Sequence, residues 1–548
     1  MINGALIRKK CKIAIDNIIH EGTTDVEIFD VPFELNYLKL QQVRNEMIDF
    51  VVKAISENKF EQLKIHKIGH VLVPKKDLCD FRKCAWIDVR DEIIYLTLAL
   101  LLAEEIEKSR IPKTKNRVFS YRLQLRNKPY LFDAKFHFTS FRNEVNRKKH
   151  IRKNKVLVEC DISNFYDRIN IHRIESSLFS FPNLDPDIIK LINELLLYWA
   201  NRDSYGLPVG SNASRILAEA SLVNVDSFLR SHEVDFCRFV DDYRIFAKDA
   251  DTAHKHLALL TECLSREGLF INTQKTRMLD ISDKIKVEAV EKTQDETEHK
   301  DSKSKIDLPK VIRGYNGLIP TKFRKLSQNE IEEFRNQDID LIFTEIEKSV
   351  IVKEEDIKRV VKMIDAQEEF SYIYKVAQSL KKFPQFIPYF VDFLTKKTDN
   401  LSEDVLQKVK DLFGDWYRED DVPEYILVYL VRLFKINAVN KKILLDAFRN
   451  SKRTAGDYIG RALLESFNGI LTRTEVMEIR EYYVRADIWE KRQILRLVQC
   501  VLPDGEKRPF FKDVKIHNTD PFIDYIIDSK QDFLKITLCK KASVSEKT

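Results

Sequence analysis

Three carboxylates carry the first suggestion of chemistry. Asp241 and Asp242 stand side by side in RFVDDYRIFA, residues 238–247, a run that otherwise reads as strand. Phe236, Phe239 and Val240 before them and Tyr243, Ile245 and Phe246 after them suit two short strands joined by a tight turn, which puts both carboxylates at a hairpin tip. Adjacent anions repel, and a shared cation relieves the repulsion. Asp-Asp is also a common turn dipeptide, so the pair alone leaves a structural role open. One hairpin tip cannot surround a divalent ion, so a metal site needs a further carboxylate from a neighbouring strand. KVLVECDISNFYDRI, residues 155–169, supplies it: Val156, Val158 and Cys160 alternate with Leu157 and Glu159, and Asp161 closes the strand just before a turn into a helix near Tyr166. Strand-end aspartates of this kind could face a pair of divalent ions about 3.5–4 Å apart, which stabilise the attacking and leaving oxygens of an in-line phosphoryl displacement. Mg²⁺ suits such a site because it takes a few carboxylates and completes its shell with phosphate and water.

The elements that must position these groups fall into regions of different texture. With 548 residues, 44% apolar and 32% charged, the chain has room for several cores and reads as globular. From the start to about residue 280, strand-like KVLVEC and CRFV mix with helix-like DEIIYLTLALLLAEEIE and ASRILAEASLVNVDSFL. Residues 284–310, charged and almost free of aromatics, look like a linker or excursion. Beyond Leu326, segments such as NEIEEFRNQDIDLIFTEIEKSV, SEDVLQKVKDLFGDWY and PEYILVYLVRLFKI carry apolar residues at helical spacing, separated by short breaks. The expected fold is therefore α+β over residues 1–283, a linker at 284–310, and an all-helical domain over 311–548. Helices recurring at this interval pair into units of about forty residues, the length of HEAT-like repeats, although a plain bundle fits the pattern too.

Charge and cysteines narrow the function classes. Between Arg110 and Lys155, fifteen Lys and Arg face two acids, with Tyr121, Tyr130, Phe132, Phe136 and Phe138 interleaved. That composition suits a surface for a phosphodiester backbone, the plainer alternative being a solvated basic face over buried aromatics. The eight cysteines form no CxxC pair, so neither a zinc ribbon nor a disulfide framework is indicated and reduced thiols are expected. No apolar stretch approaches the length of a membrane span, and the N-terminus lacks a signal-peptide pattern, which sets a cytoplasmic location without a membrane partner as the expectation.

Taken together and in order, the chemical segments resemble a known family, the reverse transcriptases. DISNFYD (161–167), GLPVGSNASRILAEA (206–220), FVDD (239–242) and GLFINTQKT (268–276) are similar to its successive palm motifs, and PKKDLCDFRKCAWIDVRD (74–91) is similar to its fingers segment. The resemblance covers roughly residues 70–280, and the conjunction is far more specific than any single motif. It implies right-hand-like fingers and palm, with Asp161, Asp241 and Asp242 as catalytic residues and Asp161, Ile162, Asp241 and Asp242 as the metal site for Mg²⁺ or Mn²⁺. It also implies that Lys75 and Arg82 stabilise the triphosphate of an incoming nucleotide, and that Pro208, Gly210 and Lys275 contact it. Tyr166, five residues after Asp161, stands where reverse transcriptases carry a bulky aromatic that collides with a ribose 2′-hydroxyl, so deoxynucleotides are the implied substrates. Each has a plain alternative: an exposed basic hairpin for Lys75 and Arg82, packing at a helix start for Tyr166, a solvent-facing side chain for Lys275, and helix capping for Ser211 or Asn212.

Departures from the general pattern refine the resemblance. Val209 replaces a frequent glutamine, Phe239-Val240 precedes the aspartates in place of Tyr-Ala or Tyr-Met, and no ribonuclease H, zinc-finger nuclease or integrase pattern follows. These features disfavour a telomerase, retroviral or mobile-intron enzyme. GLPVG, Arg215 with Leu217-Ala218-Glu219 after it, and the long helical C-terminus resemble the bacterial abortive-infection reverse transcriptases of phage defence. That family implies a homo-oligomer making single-stranded DNA without a template, primed from a protein hydroxyl and so attached to the protein. The alternatives are templated synthesis on a noncoding RNA, and a catalytically idle nucleic-acid-binding scaffold.

Overall fold

Branched and aromatic residues in alternation produce six strands among the described residues: β1 (Gly69–Pro74), β2 (Phe81–Trp86), β3 (Val156–Asp161), β4 (Asp235–Phe239), β5 (Asp242–Ala247) and β6 (Arg277–Asp280). The computed structural model describes residues 3–75, 80–125, 129–201, 203–282, 322–349, 354–417, 422–437, 439–450, 457–518 and 520–529. The segment expected as a linker, 284–310, lies outside the described residues. Two units result. The first comprises Met1–Asp25, Tyr37–Ile68 and Ile87–Tyr315; the second comprises Val26–Asn36, Gly69–Trp86 and Asn316–Thr548.

In the first unit, β3 to β6 form one antiparallel sheet in the order β4-β5-β3-β6. The β3–β5 register runs from Val156 opposite Ala247 to Asp161 opposite Asp242, and β4–β5 pairing ends with Phe239 opposite Asp242. Leu157, Val158, Phe236, Tyr243, Ile245 and Phe246 are buried in its core. The run after Asp88 forms the buried helix Val89–Ser109, largely apolar from Ile93 to Ala103 and packed on helices Gly4–Glu21, Pro186–Trp199 and Asn212–Ser221. Asp88 caps it, accepting the Arg90 backbone N–H at 3.0 Å. ASRILAEASLVNVDSFL does not run as one helix. It breaks at Leu222 into Asn212–Ser221 and Val223–Ser231, where the Leu222 N–H bonds the Glu219 carbonyl and the Ser221 hydroxyl donates to the Ala218 carbonyl at 2.7 Å.

Among its described residues the second unit is helical apart from the β1–β2 hairpin and connecting loops. Helices Ile387–Lys396, Glu424–Phe434, Tyr458–Ser466, Ile488–Val501 and Pro521–Asp528 pack one on the next, so that every second helix joins a single row. NEIEEFRNQDIDLIFTEIEKSV divides into Gln328–Arg335 and Ile339–Lys348 because Asp338 starts a new helix, accepting the Leu341 N–H at 3.1 Å. Cys11, Cys84, Cys160, Cys237 and Cys263 are buried free thiols, whereas Cys500 is disulfide-bonded, a departure from the expectation of reduced thiols. No helix among the described residues is long and apolar enough to cross a membrane.

Candidate active site

The turn between β4 and β5 is two residues long, Val240 and Asp241, and brings Asp242 opposite Asp161 at the end of β3. The Ile162 N–H donates to the Asp241 carbonyl at 3.2 Å, tying the hairpin tip to the end of the neighbouring strand. Val240 has φ +56°, a left-handed conformation that costs a β-branched residue energy and must be held by its surroundings. The holder is Arg238. Its guanidinium donates to the Val240 carbonyl at 2.8 Å while pairing with Asp226 at 2.6 Å and Glu219 at 2.9 Å. Arg110 reaches the same Glu219 at 2.6 Å, the Ser120 hydroxyl donates to it as well, and the Tyr243 hydroxyl donates to Asp226 at 3.1 Å. Arg238 and Tyr243 thus bracket the aspartate pair from both sides in sequence.

This cluster is buried, with Arg238 at 0% exposure and Glu219 at 2%. Burial would raise the Glu219 carboxyl, but the Arg110 and Arg238 guanidiniums outweigh it and hold the group below the usual carboxylate range. Sequence reasoning named Glu219 only within the family pattern and Arg110 only within the basic run, and missed this ion-pair cluster. The available signal was Arg238 itself, a lone cation inside an otherwise apolar strand.

Asp161 is held above the usual carboxylate range, by burial first and then by the negative charge of Asp242; Lys275 and Arg244 pull the other way. The Lys275 ammonium lies 3.4 Å from the Asp161 carboxylate, and Arg244 lies 3.2 Å from Asp242. Backbone pairing explains the first contact. Asn272 N–H bonds the Asp161 carbonyl at 2.7 Å and Ser163 N–H bonds the Phe270 carbonyl at 2.8 Å, so the turn carrying Lys275 runs beside the end of β3.

Tyr166 is the second residue of the short helix Phe165–Arg168 and is half-buried, its ring edge-on to Phe165 with centroids 5.5 Å apart. Burial first, then the neighbouring Tyr121, keep its hydroxyl well above the ordinary tyrosine range. Its carbonyl accepts the Leu207 N–H at 2.9 Å, which lays the loop of Pro208 and Gly210 against the Tyr166 segment. Gly206 and Gly210 have φ +98° and +115°, conformations that glycine adopts without strain. Of the two expected caps, Ser211 takes the role: its hydroxyl accepts the Ala213 N–H at 3.0 Å and donates to Glu92 at 2.7 Å.

Asp161, Ile162, Tyr166, Pro208, Gly210, Asp241, Asp242 and Lys275 therefore belong to one unit. Lys75 and Arg82 belong to the other, at the Pro74–Phe81 end of the β1–β2 hairpin, where the Lys75 ammonium pairs with Asp80 and Arg82 stands opposite Val73.

The basic run 110–155 is only partly a surface. Arg110, Arg122 and Lys148 are buried in ion pairs with Glu219, Glu107 and Asp235, because a cation inside a core survives only when partnered. Lys115, Lys135, Arg152, Lys153 and Lys155 remain exposed, and the interleaved aromatics pack on neighbours, as Tyr121 does on Phe132 and Phe138 on Phe239.

Two groups of side chains among the described residues are of interest as ligands. Asp161 and Asp242 stand opposite each other with Asp241 in the adjoining turn, and carboxylate oxygens are the donors a hard divalent cation takes. The group whose ligand atoms lie within 4.8 Å of one another is His66, Asp88 and Asp91. Arg90 already serves that second group, lying 3.1 Å from His66 Nδ1 and 3.0 Å from Asp91, so a protein cation balances its carboxylates.

A short antiparallel sheet with carboxylates at the ends of its two central strands and a glycine-bounded turn beside them has the make-up of a polymerase palm. Residues 108–299 match the reverse transcriptase (RNA-dependent DNA polymerase) family model, so the chain carries a reverse-transcriptase domain and is a nucleotidyltransferase of the RNA-directed DNA polymerase type. The matched segment contains Asp161, Tyr166, Gly210, Asp241, Asp242 and Lys275; Lys75 and Arg82 precede it. No curated protein shows significant sequence similarity to the chain. Among solved structures, telomerase from Candida albicans in complex with a TWJ fragment of telomeric RNA is 12% identical over 77% of this chain and 68% of its own, with TM-score 0.28. Apo telomerase from Candida tropicalis is 12% identical over 80% and 73%, with TM-score 0.29.

Proposed function

We propose that the chain is a DNA polymerase of reverse-transcriptase type that joins deoxynucleotides at Asp161, Asp241 and Asp242, primed from one of its own hydroxyls and independent of a template, in bacterial defence against phage by abortive infection. The observation that carries the catalytic part is the register of Asp161 opposite Asp242, with the Asp241 carbonyl in the β4–β5 turn accepting the N–H of Ile162, the residue after β3. These three carboxylates and the Ile162 carbonyl would hold divalent ions, which when bound would supply the charge that phosphoryl transfer requires. The chain's own groups do the rest. Arg238, Glu219 and Asp226 fix the turn so that the aspartates keep their places, and Lys75 and Arg82 offer cations to the triphosphate. Tyr166, edge-on to Phe165 and accepting the Leu207 N–H through its carbonyl, excludes a 2′-hydroxyl.

The finer assignment rests on GLPVG, on Arg215 and on the helical C-terminal part, whose alternating helix row suits a HEAT-like solenoid. In this reading nucleic acid lies along exposed basic residues such as Arg152, Lys153 and Lys155, and the protein works as a homo-oligomer with Mg²⁺ or Mn²⁺. The description of the matched family, an RNA-dependent DNA polymerase, favours a second reading: templated synthesis on a noncoding RNA. Purified protein given Mg²⁺ and deoxynucleotides separates the two. DNA that migrates with protein until protease treatment and carries random or homopolymeric sequence supports the first reading. Free DNA of one defined sequence supports the second, and no synthesis contradicts both.

A further inference from the structure

The β1–β2 hairpin is half open and half embedded. Phe81, Arg82 and Lys83 at its tip face outward to different degrees, whereas Cys84, Ala85 and Trp86 are buried. A two-stranded hairpin has little stability of its own, so whatever seats its base determines where its tip points. That seat is made by the C-terminal helices. Trp86 packs against Trp489 with ring centroids 4.1 Å apart and edge-on against Tyr458 at 4.8 Å, and the Arg461 guanidinium lies 5.0 Å from its ring centroid. β1 rests on helices Glu424–Phe434 and Tyr458–Ser466.

Arg461 is itself fixed on several sides. It pairs with Glu34 at 2.8 Å and with Glu465 at 2.6 Å, and Glu34 also meets Arg492 at 3.3 Å, which in turn holds Asp520 at 2.6 Å. Glu34 and Arg492 are at 0% exposure and Arg461 at 2%, so none of these pairs is loosened by solvent. Burial would raise the Glu34 carboxyl, and Arg461 followed by Arg492 overcomes it and keeps the group low, hence charged. The Tyr458 hydroxyl accepts the Asp30 N–H at 2.7 Å, and Arg432 donates to the Ile28 carbonyl at 2.8 Å, so the short segment Val26–Asn36 is part of the same seat.

We infer that Arg461, locked by Glu34 and set over Trp86, is a positioning residue for nucleotide binding: the C-terminal helices aim the hairpin that carries Lys75 and Arg82. Arg82 lies four residues before Trp86 on the same strand, so a tilt of the Trp86 ring is carried along a rigid extended segment to the tip. The helical part is then a component of the nucleotide-binding apparatus, and anything that displaces its row of helices alters nucleotide affinity before it alters the aspartates. The inference rests on the reading that Lys75 and Arg82 grip the triphosphate.

The test is a cycle of variants of the full chain, measuring deoxynucleotide KM and kcat separately. Lys75→Ala/Arg82→Ala should raise KM about tenfold with kcat within about twofold, Arg461→Met should do the same, and combining them should raise KM no further because both act through one pair of contacts. Arg461→Lys, which keeps a charge beside Glu34, should recover part of the loss. Trp489→Phe, a smaller change to the same seat, gives the same readout should Arg461→Met fail to fold. A normal KM in Arg461→Met or Trp489→Phe, or effects that multiply with Lys75→Ala/Arg82→Ala, overturns the positioning role while leaving the triphosphate reading intact. An unchanged KM in Lys75→Ala/Arg82→Ala itself overturns that reading, and the inference with it.

Discussion

Two buried clusters, one in each unit, are built from the same parts. Arg110 and Arg238 meet Glu219 and Asp226 in the first; Arg461 and Arg492 meet Glu34 and Asp520 in the second. Each buries two guanidiniums among carboxylates in a chain of ion pairs, at a desolvation cost that hydrophobic residues of similar volume would avoid. The difference lies in what each cluster holds. The first grips backbone: Arg238 donates to the carbonyl of the left-handed Val240, and the aspartate turn follows directly. The second grips an aromatic ring, Trp86, at the base of a hairpin whose working residues lie four or more positions away. Fixing a carboxylate needs a dihedral held in place, whereas aiming a strand needs only its base clamped. The same electrostatic device therefore serves two mechanical purposes.

Breaking one member of each cluster sharpens the contrast. Arg238→Met leaves Glu219 and Asp226 with one guanidinium between them and frees the Val240 carbonyl; a loss of about 3–5 kcal/mol of unfolding free energy, read by denaturant titration, is expected together with a fall in kcat. The Arg461 variants described above should move KM instead. If Arg238→Met raised KM and spared kcat, the division of labour would be wrong.

Glu92 is the counter-example that tests why pairing matters. It is buried with one hydrogen bond, from Ser211, and its Oε2 has no partner. Burial pushes its carboxyl up to about 8, against the Ser211 bond and the field of Arg215. The folded protein then keeps that proton through a range where the unfolded chain has released it, so stability falls as pH rises from the ordinary carboxylate range to about 8 and levels off above. Glu92→Gln removes this slope. The variant should match the parent near pH 4 and exceed it at pH 8 by on the order of 1–3 kcal/mol, measured by thermal unfolding across pH.

Smaller effects belong to the palm surface. Tyr166→Ala should raise ribonucleotide use about tenfold or more relative to deoxynucleotide, scored by competing triphosphates, and an unchanged ratio would return Tyr166 to a packing role. Lys275→Ala removes a cation 3.4 Å from Asp161 at a side chain that is 61% exposed, so a change of only a few-fold in rate is expected.

Much of the palm was legible because its chemistry is local. Two aspartates in a run of strand formers, a third closing an alternating strand, and glycines around a Pro-bearing loop each leave a mark in consecutive residues. The Trp86 seat left none, since Glu34, Trp86, Arg461 and Trp489 are separated by stretches of up to hundreds of residues and each alone looks ordinary. The basic run misled in part for the reverse reason. Its cations are consecutive, but folding turned Arg110, Arg122 and Lys148 inward to partners that no local pattern announces.

The most direct test of the proposed metal-binding role of these carboxylates is deoxynucleotide incorporation by purified Asp161→Asn and Asp241→Asn proteins, alongside Mn²⁺ binding followed by electron paramagnetic resonance. Both variants should retain the parent's unfolding transition while losing Mn²⁺ binding and incorporation together. Undiminished incorporation by either one would contradict the assignment of Asp161 and Asp241 to the reacting centre.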